Sequence, residues 1–255
     1  MAGRRVILLT SEGESGQIAA RYLAARFDDF ALVIEQPESR VTFLRRRLKR
    51  QGAFKVFGQL VFMVLQRIQQ RLARLRIRSI LAELDLSSQF PNSVPVHRVG
   101  SVNDAESVEL LKRLAPDVIL VIGTRIIAGN VLRSAGVPFI NYHAGITPKY
   151  RGVHGGYWAL AELDAENFGS TVHLVDEGID SGGILYQART KPSPQDNFST
   201  YPYLQLGLAL PMLTKAAEDA VTGRLAPRRS DLPSRLWSHP TIWAYLANGL
   251  RRGVW

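Results

Sequence analysis

Phe139-Ile-Asn-Tyr-His-Ala-Gly-Ile-Thr-Pro-Lys-Tyr-Arg-Gly152 is an apolar run that turns polar and then closes in a turn marked by Pro148 and Gly152. Val137 to Ile140 reads as a buried strand, and the period of two sends the side chains of Asn141 and His143 to one face at its C-terminal end. Downstream, Gly169-Ser-Thr-Val-His-Leu-Val-Asp-Glu-Gly-Ile-Asp180-Ser-Gly-Gly183 joins a second strand, Thr171 to Val175, to a Gly-rich acidic loop carrying Asp180. In an open parallel α/β sheet the strand ends open onto one crevice, so the Asp180 carboxylate is expected to reach the His143 imidazole.

Working outward, Val6 to Thr10 is a strand that feeds Ser11-Glu-Gly-Glu-Ser-Gly16 and a helix from Gln17 to Arg26. Phe30 to Ile34 and Val94 to Arg98 are further strands, Asp104 to Leu114 a helix, Asp117 to Ile122 a buried strand, and Ile126 to Ser134 a short helix. Strands alternating with helices predict an α/β fold with a doubly wound, mainly parallel sheet. The first domain is expected over 1–190, with a helical insertion at about 42–84. Residues 191–255 should add a helix from about Leu204 to Thr222 and a Pro-, Trp- and Arg-rich tail packed on the same domain.

The 255 residues, 46% of them hydrophobic, suffice for one large core. Cysteine is absent, which excludes disulfides and thiolate metal sites. Met1-Ala-Gly-Arg-Arg5 runs straight into a strand too short for a signal-peptide core, so a cytoplasmic location is expected. The net charge of +10 belongs to one segment. Arg40 to Arg78 holds twelve Lys or Arg and no Asp or Glu, leaving 20 basic against 22 acidic residues elsewhere. Any argument about anionic partners therefore concerns that segment.

Asn141-x-His143, the turn Pro148-Lys-Tyr-Arg-Gly152, and Asp180 between glycines in the later loop together resemble the folate-dependent formyltransferase superfamily. Its members include glycinamide ribonucleotide, methionyl-tRNA and sugar N-formyltransferases. The resemblance is specific over about residues 117–187 and looser over the first strand and helix. It implies a Rossmann-like fold and transfer of a formyl group from 10-formyltetrahydrofolate to a primary amine. Such a reaction needs an oxyanion stabiliser, a proton acceptor for the developing ammonium and a proton donor for the leaving nitrogen. By resemblance Asn141 holds the formyl oxygen, His143 is the acid/base, and Asp180 raises the basicity of the imidazole. The pterin is expected against Arg125, Ile126 and Ile127 and against Asp176, Glu177 and Gly178.

Tyr150, Arg151, Gly152 and His154 are expected to line the acceptor, and Ser11 and Gly13 to present backbone N–H groups to its phosphate. For the Ser11 loop a solvated βα turn competes with that reading, and for His154 a helix cap does. His173, on an otherwise apolar strand, is expected to hydrogen-bond the reacting groups without reacting itself. No metal site is expected, since the histidines lack short-range ligand spacing.

Tyr150-Arg-Gly152 followed by Tyr157-Trp158 resembles the turn of the sugar branch, which implies an amino sugar or related small acceptor, while Lys149-Tyr150 and Gly152-Val-His154 also resemble the glycinamide ribonucleotide branch. The tRNA branch is disfavoured because 190–255 is short and strand-poor for a C-terminal β-barrel. Hydrolysis, with water as acceptor, and a non-catalytic module docking on membrane or RNA are the alternatives. Within the insert, Ala53 to Leu65 is mostly apolar and, at 13 residues, shorter than the roughly 20 that span a bilayer. It reads as a helical pair broken at Gly52 and Gly58. Its arginines face solvent, an anionic membrane surface or a partner helix, with nucleic acid disfavoured and an oligomer left open.

Overall fold

The structure, a computed structural model, describes residues 4–255. Met1 to Gly3, the start of the segment read as leaderless, lie outside them. The chain opens with β1 (Val6–Ser11), α1 (Glu14–Ala24) and β2 (Phe30–Glu35). Three helices follow: α2 (Arg40–Gln51), α3 (Ala53–Leu72) and α4 (Arg74–Glu83). The alternation resumes with β3 (Val96–Val99), α5 (Ala105–Leu114), β4 (Val118–Ile122), α6 (Gly129–Ala135) and β5 (Phe139–His143). Then come β6 (Arg151–Gly152), α7 (Gly155–Ala161), β7 (Gly169–Leu174) and β8 (Ile184–Arg189). The chain closes with α8 (Tyr201–Val221), β9 (Leu236–Trp237) and α9 (Ile242–Arg252).

The seven-stranded sheet runs β3-β2-β1-β4-β5-β7-β8, with β3 to β5 parallel. β1 and β4 are apolar on both faces because helices cover both. Ile18, Ile80 and Leu210 bring α1, α4 and α8 onto one face; Leu111 and Val131 bring α5 and α6 onto the other. One expectation fails: β7 pairs antiparallel with β5, so its C-terminal end lies beside the start of β5. Asp180 reaches the site because the loop after β7 folds back, where a parallel strand would have pointed straight at it.

The insert also departs from the expected pair. Gly52, at φ 78°, separates α2 from α3, but Gly58 lies inside α3. It is a contact glycine: the Trp243 indole lies where a Cβ would stand. Nor is the insert an appendage. Phe62 is fully buried, with its ring centroid 4.8 Å from Phe198 and 4.9 Å from Tyr245. Gln59 donates to the His239 carbonyl and to Gln51 Oε1. The Pro-, Trp- and Arg-rich tail, expected to be short and helical, supplies both β9, paired to β6, and α9, packed on α3.

Phe62→Ala should therefore destabilise the protein by about 3–5 kcal/mol in denaturant titrations, as large-to-small changes in aromatic cores do. Phe57→Ala, five residues earlier on the exposed face, should change stability by less than about 0.5 kcal/mol. Equal effects would contradict the packing.

Candidate active site

Asn141 and His143 leave the same face at the end of β5, as period two requires. Because β7 is antiparallel, Asn141 is directly paired with His173, which stands on the same side of the sheet. Nδ1 of His173 donates to the Leu174 carbonyl, leaving Nε2 to accept from Asn141 Nδ2 at 3.2 Å. The second amide hydrogen of Asn141 makes a long contact, 3.4 Å, with Asp180 Oδ1.

His143 is 6% exposed, and its ring nitrogens face two acceptors. Nε2 lies 2.5 Å from the Tyr150 carbonyl and donates to it; Nδ1 lies 3.4 Å from Asp180 Oδ2. Burial lowers the imidazole pKa below its ordinary value, and Asp180 and the Tyr150 carbonyl pull it back only in part. The ring is neutral at neutral pH, with Nδ1 as its basic nitrogen. Burial would raise Asp180, but His143, protonated in that acid range, and His173 hold the carboxyl down at about 2. Gly152 N–H adds a 2.9 Å hydrogen bond to Oδ2.

The Tyr-Arg-Gly turn places that donor. Arg151 and Gly152 form β6 against β9, Gly152 has φ 95°, and a side chain there would run into the Trp237 carbonyl. Arg151 donates to the Ile179 carbonyl, tying the turn to the Asp180 loop, and Tyr150 turns its hydroxyl away to Asp164. Both are thus buttresses of the loop and do not line the cavity that Gly152 borders.

That cavity, about 690 Å³, collects Asn141, His143, His173 and Asp180 with Arg125, Ile126, Ile127, Asp176 and Gly178. Val121, Ile127, Val175 and Ile179 give it an apolar wall beside the backbone of Gly123 to Arg125, a fit for a flat heteroaromatic ring with polar edges. Arg125 supports this wall from behind, donating to the Gln36 and Gly100 carbonyls and pairing with the buried Glu35. Glu35 also accepts from the N–H groups of Val102 and Arg125. Sequence reading missed Glu35, although a lone carboxylate closing an apolar strand was a signal of it.

Other expected residues lie apart. Glu177 pairs with Arg133 outside the lining, and Ser11 and Gly13 sit at the β1–α1 turn, off the cavity. His154 caps α7 with φ 59° and hydrogen-bonds His239 at 2.9 Å; its neighbour Val153 and His239 line the cavity. A further part of the lining is unforeseen. It is built by α2, through Phe43, Arg46, Arg47, Arg50 and Gln51, by Lys55, and by Leu236 to His239 of the tail.

Known proteins share this fold and part of this sequence. Methionyl-tRNA formyltransferase of Chlorobium chlorochromatii is 30% identical over 148 residues, 56% of this chain and 46% of that protein, so the chain matches about half of that relative's length. Glycinamide ribonucleotide transformylase 1 of Symbiobacterium toebii superposes with a TM-score of 0.57 at 17% identity, covering 93% of this chain and 96% of that one. An N-formyltransferase of Helicobacter canadensis, solved with folinic acid and dTDP-3-aminofucose, gives 0.55 at 14% identity, covering 91% and 70%. These two likenesses show the fold. The family model described as formyl transferase matches residues 42–202, reaching upstream into the helical insert as well as across both site loops. With well over half its length inside that match, this chain belongs to the formyl transferase family.

Proposed function

We propose that this chain is an N-formyltransferase that moves a formyl group from 10-formyltetrahydrofolate to a primary amine, with an amino sugar as the acceptor class. The observation that carries the reading is the joining of Asn141, His143 and Asp180 on one wall of a cavity of ligand size. When bound, the folate supplies an electrophilic formyl carbon. The amine nitrogen bonds to that carbon, and negative charge gathers on the formyl oxygen. The Asn141 N–H making the long contact to Asp180 is the one free to turn towards it. Nδ1 of His143 takes the proton shed by the amine, because Nε2 is committed to the Tyr150 carbonyl, and the resulting imidazolium faces the Asp180 carboxylate. The same Nδ1 would be placed to return that proton to the leaving nitrogen.

The amino-sugar acceptor draws support from the likeness in sequence of Tyr150-Arg-Gly152 with Tyr157-Trp158 to the sugar branch, although these side chains do not line the cavity, and from the amino-sugar nucleotide in the Helicobacter canadensis structure. Purified protein incubated with 10-formyltetrahydrofolate should formylate a nucleotide-linked amino sugar, read by mass spectrometry. Glycinamide ribonucleotide, methionyl-tRNA and a mixture without amine are the competing arms. Formate released without an amine would mark a hydrolase, and no product in any arm would mark a non-catalytic module.

In the productive arm, His143→Ala, Asp180→Ala and Asn141→Ala should each lower turnover at least about 100-fold, the range general acid–base groups contribute. Near-wild-type transfer by the His143 or Asp180 variant would overturn the assignment.

The pH profile tests the same roles. His143 must be neutral, and its pKa lies below 6.5, so kcat/KM should hold from neutrality down past pH 6.5 and fall only below it. Asp180→Asn removes a charge that raises this pKa, so the acid limb should move to lower pH as turnover drops. NMR titration of the His143 ring checks the same direction without activity.

A further inference from the structure

Arg47 is 8% exposed and, among the described residues, has no carboxylate partner. Its guanidinium lies over the Phe43 ring, 4.6 Å from the centroid, and its one hydrogen bond is a 3.8 Å contact to Met63 Sδ. Its charged neighbours are unhelpful: Arg46 lies beside it, and the His154–His239 pair is close enough to feel its charge. A buried cation without a counter-charge is costly, and helices are rarely built around one. The cavity accounts for it. Arg46, Arg50 and Lys55 line the same wall, and of these four cations only Arg46 has a carboxylate, Glu38, in an ion pair.

We infer that Arg47, with Arg50 and Lys55, forms a phosphoryl-binding site for the formyl acceptor. The guanidinium offers a fork of N–H donors that matches two phosphate oxygens, and the site lines the same cavity as Asn141, His143 and Asp180. Naming the bound anion as the acceptor's rests on the formyl-transfer reading; the site itself does not. The other anion available to this cavity is the carboxylate tail of a folate.

Calorimetry and thermal unfolding with inorganic pyrophosphate, at matched ionic strength, test the site on the full chain. The wild-type protein should bind pyrophosphate and melt higher with it. Arg47→Met should weaken that binding at least about tenfold, as loss of a charged hydrogen-bonding partner does. Without ligand, Arg47→Met should melt at or above the wild type, since it removes an unpaired buried charge, and folinic acid binding should persist. Absence of pyrophosphate binding, a lower melting point of ligand-free Arg47→Met, or loss of folinic acid in place of pyrophosphate would each overturn the proposal. Failure of the formyl-transfer reading shows separately, as no folate binding by the wild type.

A second surface stands on different observations. Phe54, Phe57, Val61, Val64, Ile68 and Leu72 recur every three or four residues along α3, and every one is exposed. Trp243, Leu246 and Leu250 continue the pattern on the adjoining α9, with Phe54 stacked on Trp243 at 4.5 Å. Arg67 and Arg71 follow Val64 and Ile68 by one turn, Arg251 and Arg252 follow Leu250, and no acidic residue falls between Arg40 and Arg78. A two-fold copy would set these cations against themselves. No helix among the described residues is long and apolar enough to cross a membrane. We propose that this face lies on an anionic bilayer surface, its apolar stripe in the interface and its arginines among the headgroups.

Wild-type protein should sediment with phosphatidylglycerol–phosphatidylcholine vesicles at low salt, but not with phosphatidylcholine alone, and Phe57→Ser/Val64→Ser/Leu250→Ser should stay in solution. Wild-type protein that ignores both vesicles, or that forms a dimer which the triple variant dissolves, would overturn this.

Discussion

The Asp180 carboxylate is the constraint on which the site depends. It is mostly withdrawn from water, and its four neighbours come from three segments: Gly152 from the turn, Asn141 and His143 from β5, His173 from β7. A buried charge is tolerable only when such partners are fixed in place. The need runs outward. Gly152 can donate because β9 pins it, Arg151 holds Ile179, and the antiparallel β7 brings His173 level with Asn141. Asp180 itself has φ 49°, a left-handed conformation that Asp adopts more readily than a β-branched residue would. A Val or Thr there would combine backbone strain with loss of the charge.

Much of this was legible in the sequence because it rests on local periodicity. Apolar runs made β1, β2, β4 and β5 recognisable, while β8, Ile184–Arg189, went unread, and period two placed Asn141 and His143 together. What was not legible depends on distant partners. Nothing within Thr171 to Val175 states the direction of the neighbouring strand, and a strand buried on both faces looks alike either way. Gly58 was read as a break because an isolated glycine weakens a helix; its role as a seat for Trp243 is visible only from a residue far along the chain. The tail hid α9 for the same reason. Its helix is short and gains its burial from α3, with Tyr245 set among Phe62 and Phe198. The basic run of the insert was recognised as unusual, but helical spacing alone does not say which arginines look inward.

The inward ones give the cavity lining both signs of charge. Asp176 and Asp180 line it with Asn141 and His143; Arg47, Arg50 and Lys55 line it from α2 and the start of α3. On the proposed reading, an acceptor that carries both an amine and a phosphate is oriented by these charges before any specific contact forms. The histidines sharpen this. His154 and His239 are kept neutral by burial and by their own proximity to cations, so the wall carries guanidinium and ammonium charge without a competing titration near pH 7. The segments that build this wall lie in the insert and in the tail, the latter beyond the matched residues 42–202. On the proposed reading the tail is the part of this wall that falls outside the family match, while the β5 and β7 residues are tied down by their contacts with Asp180.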